Sequence, residues 1–258
     1  MLNSYRVNVF GFSNAKGLGA PSANVGLLDQ RLVVEWTRDN IAGFGGDPER
    51  ITLWGQSAGG ASVSLYGYSY PDDPIVAALI ADSGAATIAG SRDLAQTNFT
   101  FLAGLVGCGD LAPGPELDCV RKVPAMTLEN TLSYYLGNRT TTQPSINFTP
   151  IPDNVTAFGN TTDRAARGLV ADVPLIMGSN TNEGAGFVPF TPNGPGAAVL
   201  YTTTQTIIAC PVAAEIANRV EFGYTTYRYQ YAGNFSNVSP LPWMGAYHSC
   251  KYSAFASS

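Results

Sequence analysis

Histidine is almost missing from these 258 residues: His248 is the only one, so any chemistry that needs an imidazole near neutral pH must use it. Charge is also scarce. Only 13% of residues are charged, the net charge is -5, and no block of like sign occurs. That pattern excludes a nucleic-acid surface and a polybasic membrane anchor, and leaves a small molecule as the expected partner. No apolar run approaches the roughly 18 residues needed to span a bilayer, so no transmembrane segment is expected. Met1 is not followed by the basic stretch and apolar core of an export signal. The four cysteines, Cys108, Cys119, Cys210 and Cys250, stand at no zinc-site spacing from one another or from His248. No metal and no cofactor are expected.

What remains is a chain that is 45% apolar and long enough for one large core, read as a single domain over residues 1–258. Asn-x-Ser/Thr sequons begin at Asn98, Asn138, Asn147, Asn154, Asn160, Asn234 and Asn237, and they predict a secreted glycoprotein. Pro240 counts against use of the last, and a chain rich in Ser, Thr and Asn also forms sequons by accident. Cys108 and Cys119 bracket a turn-rich loop with Gly109, Pro113, Gly114 and Pro115, which would let the two thiols meet in a disulfide. Two unrelated thiols are the alternative. Cys210 and Cys250 have no evident partner.

Alternation over Tyr5 to Phe12 predicts a strand. Apolar residues Val25, Leu28, Leu32 and Trp36 predict an amphipathic helix from Val25 to Ile41 that packs on a sheet. Strands are expected at Ile51–Trp54, Ala77–Ala81, Val173–Gly178 and Thr225–Tyr231. Helices are expected from Ala58 to Leu65, Arg92 to Val106, Ala125 to Leu136 and Val212 to Val220. Residues Gly137 to Thr162 hold four sequons and three prolines and read as exposed connecting sequence. Strands alternating with helices give an α/β chain: a mostly parallel sheet covered on both faces, with its site at the carboxyl ends of the strands.

One motif sits where such a site belongs. Gly55, Gln56, Ser57, Ala58 and Gly59 spell G-x-S-x-G between a predicted strand and a predicted helix. Glycines flanking the serine let the backbone fold tightly and hold Ser57 exposed on a strained turn. The helix start aims unpaired N–H groups at the same place, Ala58 first, which suits the anionic oxygen of a tetrahedral intermediate. His248, late in the chain, is the candidate base. For the acid, Glu183 follows a predicted strand and lies between Ser57 and His248 in sequence, while Asp172, before that strand, competes.

The surrounding wording resembles the type-B carboxylesterase and lipase family, which includes the cholinesterases, and especially its secreted fungal members. The resemblance rests on Tyr5-Arg6-Val7 to Gly11-Phe12, Asn24-Val25-Gly26-Leu27-Leu28-Asp29-Gln30-Arg31, Trp36, Asn40-Ile41, Phe44-Gly45-Gly46-Asp47-Pro48 and Ile51-Thr52 before the motif. After it come Asp82-Ser83-Gly84, Cys108 to Cys119, Asn182-Glu183-Gly184 and Gly245-Ala246-Tyr247-His248-Ser249. It implies an α/β-hydrolase fold and ester hydrolysis through an acyl-enzyme without a cofactor. It further implies Ser57, Glu183 and His248 as the triad, Ala58 as one oxyanion donor, and Ser83 close behind the site. An inactive copy or a non-catalytic binding homologue is the alternative.

The chain departs from the family pattern in places. It begins after the family's first strands, its signal peptide and the glycine-rich loop that completes the oxyanion hole, and it ends before the family's last helices. These departures imply an incomplete domain that is poorly soluble or oligomeric. After Ser249, Cys250-Lys251-Tyr252 replace the family's acidic residue and apolar run.

Overall fold

The structure, a computed structural model, describes residues 2–19, 22–88, 93–239 and 241–251. Arg92, where the sequence places a helix start, and Pro21, Pro240 and Tyr252 lie outside them. The chain divides into two compact units, Met1–Val33 with Gly90–Gly159, and Val34–Ala89 with Asn160–Ser258.

The second unit is built on four parallel strands, β1 (Thr52–Gln56), β2 (Ala78–Asp82), β3 (Leu175–Asn180) and β4 (Thr226–Tyr231), ordered as in the chain. Leu53, Leu79 and Leu175 stand in register across the first three, and Leu79 and Leu175 are buried. The helix Ala58–Ser69 packs on β1 and β2, and the helix Cys210–Glu221 on β3 and β4. Val63 and Tyr66 from the first, and Val212 and Ile216 from the second, close the core over Leu79, Ala81, Leu175 and Met177. Burial of each such side chain contributes about 1.5 to 3 kcal/mol.

The opposite face departs from expectation. Its register row Trp54, Ile80, Ile176 and Tyr227 leaves Trp54 51%, Ile176 41% and Tyr227 61% exposed. β2 and β3 carry apolar side chains on both sides, as parallel strands do, yet the helices Ala58–Ser69 and Cys210–Glu221 cover one side only. Residues Ala197–Glu221 form one continuous helical stretch that includes a π-turn at Gln205–Ala209. It is long and apolar enough to cross a bilayer, although the polar residues Thr202–Thr206, Glu215 and Arg219 leave no long unbroken apolar run in it. Ile208, Val212, Glu215 and Arg219 are buried in it, and its length and composition alone are no sign of a transmembrane segment.

In the first unit the expected strand at Tyr5 to Phe12 is instead a helical turn, Asn8–Gly11, with Asn8 in the left-handed region at φ 56°. Gly11 is the cause: a Cβ there would lie 2.1 Å from the Arg6 carbonyl oxygen, so only glycine lets the chain fold back. The alternation of apolar residues was accidental. The helix Val25–Asn40 forms where expected, but it buries Leu27, Gln30 and Val34 while Leu32 and Trp36 are exposed. Both stripes have helical spacing, and the pattern could not rank them. Asn98–Leu105 and Ala125–Asn138 are helices, and the segment between Cys108 and Cys119 is itself helical over Pro113–Val120. Proline in a first turn gives up an N–H that has no helical partner anyway.

The stretch from Gly137 to Thr162 is only partly the exposed connection expected. Ile146, Phe148, Thr156 and Ala157 are buried. Asp153 Oδ1 accepts from the N–H groups of Val155, Thr156 and Ala157, and Asn24 Nδ2 donates to the Ile151 carbonyl at 2.8 Å. Side chains thus satisfy backbone that would otherwise need water.

Candidate active site

All four strands of the sheet end on the same side, and the ends of β1, β2 and β3 deliver one polar cluster. β1 ends at Gln56, and Ser57 follows with φ 56° and ψ -117°, a sparsely populated conformation that costs about 1 to 3 kcal/mol. The turn survives because of glycine, although not quite where the motif suggests. A Cβ on Gly55 would lie 2.3 Å from the Gly59 carbonyl oxygen, and one on Gly84 would lie 2.4 Å from the Ser57 oxygen. A Cβ on Gly59 itself would meet nothing within 4 Å. Ala58 opens the following helix, so its N–H has no partner within that helix and points beside Ser57.

β3 runs into the turn that carries Glu183. The carboxylate is fully buried and hydrogen-bonded on both oxygens: Oε1 accepts from Asn180 N–H and from Ser83 Oγ–H, both at 2.6 Å, and Oε2 faces His248 Nδ1 at 2.6 Å. His248 Nε2 lies 2.7 Å from Ser57 Oγ. With Nδ1–H donating to Glu183, Nε2 is left as acceptor for the serine proton. Gln56 Nε2, 3.3 Å from His248 Nε2, favours the same tautomer, because an amide N–H can only donate.

The histidine loop is tied down on the end of β3. Asn182 Nδ2 donates to the carbonyls of Trp243 and Met244 at 2.9 and 2.7 Å, and Asn180 Nδ2 to that of Tyr247 at 2.6 Å. Ser249 Oγ donates to Gln56 Oε1 at 3.1 Å. Phe187 lies against the imidazole with ring centroids 4.6 Å apart, and a Cβ on Gly186 would press on His248 Cβ at 2.8 Å. Gln56, Asn180, Asn182 and Phe187 were missed by the sequence reading. Only Asn182 and Gln56 carried a signal, as neighbours of Glu183 and Ser57.

Ser57, Ala58, Ser83, Glu183 and His248 therefore come together within one unit. Asp172, the competing acid, is exposed ahead of β3. Cys108 and Cys119 are bridged in the first unit, while Cys210 and Cys250 are not bridged. Asn138, Asn147, Asn154, Asn160, Asn234 and Asn237 are exposed. Asn98 is half-buried, and its Nδ2, the atom a glycan would take, donates to the Asn147 carbonyl at 2.8 Å. A cavity of about 570 Å³ in the first unit, among Val9, Phe10, Leu117 and Leu128, has no member of the Ser–His–Glu chain in its lining. Among the described residues no cluster of His, Cys, Asp and Glu could hold a metal ion.

A parallel sheet with a strained serine turn at the end of its first strand is the partial α/β-hydrolase fold. The chain belongs to the carboxylesterase family, whose sequence pattern matches residues 2–206. It is 62% identical to a chlorogenic acid esterase of Aspergillus niger over 251 residues, 97% of this chain and 48% of that one. It is 43% identical to secreted lipase 5 of Gibberella zeae, over 96% of this chain and 49% of the relative. An acetylcholinesterase of Electrophorus electricus is 35% identical over 72% of this chain and 29% of its own length. The chain spans about half the length of the first two relatives.

Proposed function

We propose that residues 1–258 belong to one catalytic domain that hydrolyses carboxylic esters through an acyl-enzyme on Ser57, with His248 as general base and acid and Glu183 as the group that orients it. The observation that carries this reading is the unbroken hydrogen-bonded chain from Ser57 Oγ through His248 to the buried Glu183 carboxylate. In the first half-reaction Oγ attacks the ester carbonyl carbon as its proton passes to Nε2. The carbonyl oxygen becomes an anion opposite the Ala58 N–H, one donor of an oxyanion hole. Collapse breaks the bond to the alcohol, which leaves with the proton from Nε2. Water then attacks the acyl-enzyme with its proton going to Nε2, and the acid leaves as Ser57 is restored. Glu183 holds Nδ1–H throughout and stabilises the imidazolium. Ser83 holds Glu183 from behind. No step uses a metal or a cofactor.

Secretion of the chain and glycan attachment at its exposed sequons are part of the same proposal, supported by the relatives named as secreted lipases. The name of the 62% identical relative makes chlorogenic acid the first ester to test. Initial rates on that ester, beside p-nitrophenyl acetate, should fall about 10³-fold or more in Ser57→Ala and in His248→Ala. A folded Ser57→Ala chain that kept the wild-type rate would overturn the assignment.

A further inference from the structure

A second buried cluster lies behind the Ser57–His248–Glu183 chain, and the mechanism above makes no use of it. Lys251, three residues past His248, is buried with its ammonium against the carboxylate of Asp82, the last residue of β2. It also donates to the Tyr229 hydroxyl at 2.9 Å and lies over the rings of Tyr229 and Tyr231, 4.7 and 5.5 Å from their centroids. The Tyr229 hydroxyl donates to Asp82 Oδ1 at 2.5 Å. The titratable groups facing the cluster are thus Asp82 from β2, Tyr229 and Tyr231 from β4, Glu183 beyond Ser83, and Cys250 and His248 from the segment of Lys251 itself. Burial pushes the Cys250 thiol up, so it adds no charge at neutral pH.

Ser83 joins the two clusters. Its hydroxyl has one proton and two carboxylates in reach, Glu183 Oε1 at 2.6 Å and Asp82 Oδ1 at 3.0 Å. It can serve only one of them. Asp82 Oδ1 already receives a charged donor from Lys251 and the phenol of Tyr229, whereas Glu183 Oε1 receives only the Asn180 N–H besides. A carboxylate oxygen so occupied is the poorer acceptor for a third donor.

We propose that Lys251 is a positioning residue for the Glu183–His248 pair: by balancing Asp82 it commits the Ser83 proton to Glu183 and keeps the Asp82 charge from reaching the imidazole. Lysine in that place is a departure from the family wording, and the arrangement couples the segment after the histidine to the end of β2. The inference rests on the ester-hydrolase reading for its consequence, but its test does not.

Because His248 is the only histidine, its ring protons in NMR can be followed with pH without ambiguity and without substrate. Lys251→Met leaves Asp82 unbalanced beside the site, and a nearby uncompensated anion favours imidazolium, so the His248 titration should move to higher pH by about half a unit or more. Asp82→Asn leaves the ammonium unbalanced and should move it to lower pH. The double variant should return close to wild type, as should Lys251→Arg. A merely structural role would not produce shifts of opposite sign that cancel. Should Lys251→Met fail to fold, Asp82→Asn carries the test. Unmoved titrations in folded single variants would overturn the proposal. Wild-type protein that shows the coupling yet hydrolyses no ester would instead count against the functional reading alone.

Discussion

The two units use buried polar side chains in opposite ways. In the first, Asn24 Nδ2 donates to the Ile151 carbonyl, Asp153 and Thr156, Asn24 Oδ1 accepts from Ile151 N–H, and Asp153 gathers three further backbone N–H groups. That network closes on itself. In the second unit a comparable chain of short bonds starts from buried Glu183 and ends at Ser57 Oγ, on a half-exposed residue next to an exposed Ala58. It ends on the proposed nucleophile, not on another loop. A closed polar network fixes structure, and an open one leaves reactivity at its free end. The second is the less fully satisfied of the two: the buried Asn180 Oδ1 beside Glu183 has no hydrogen-bond partner among the described residues.

The contrast can be broken most sharply at Glu183. Glu183→Gln cannot accept from all three of its donors, and its amide N–H facing His248 would favour the wrong tautomer. The ester-hydrolysis rate should fall about 10³-fold with little change in KM. Asp153→Ala should do the reverse: it leaves several buried N–H groups unpaired and should lower stability to urea by about 2 to 4 kcal/mol, with the rate per folded molecule retained. Equal losses of rate and stability in both variants would erase the distinction.

The second unit also buries a carboxylate that stands outside the Ser57–His248–Glu183 chain. Glu215 is buried, accepting from Ser64 Oγ–H and from the Ala86 N–H at 2.8 Å, and burial pushes it above its ordinary value of 4.5. The native chain therefore keeps its proton to higher pH than the unfolded chain does. The stability this group lends is full below about pH 4.5 and is lost as pH rises through its raised value. Glu215→Gln should flatten that decline, read as urea midpoints at pH 4 and pH 8, while the activity profile stays in place. A decline as steep as in wild type would place its origin elsewhere.

The second unit was the more legible in the sequence. Its strands are short, apolar or aromatic and punctuated by turns, and all four were expected within a few residues of where they lie. The serine turn was legible because its chemistry needs small residues in one order, and His248 because there is no other. What failed was what depends on particular contacts rather than on residue pattern. The turn at Asn8–Gly11 is set by contact with Arg6, the buried stretch around Ile146 and Phe148 is held by Asn24 and Asp153, and the helix Val25–Asn40 offered two stripes of helical spacing. The open face of the sheet could not be read either, since strands apolar on both sides predict cover without naming what supplies it. Gln56 and Asn180 act through side-chain bonds to the histidine segment, to His248 and Tyr247, which lie 192 and 67 residues away.

The central claim is that Ser57 is a nucleophile activated by His248. A fluorophosphonate probe, with the modified peptide mapped by mass spectrometry, tests it most directly. Labelling should fall on Ser57 alone, be absent in Ser57→Ala and be strongly slowed in His248→Ala. A folded wild-type chain that takes no label, or takes it equally well without His248, would contradict the account.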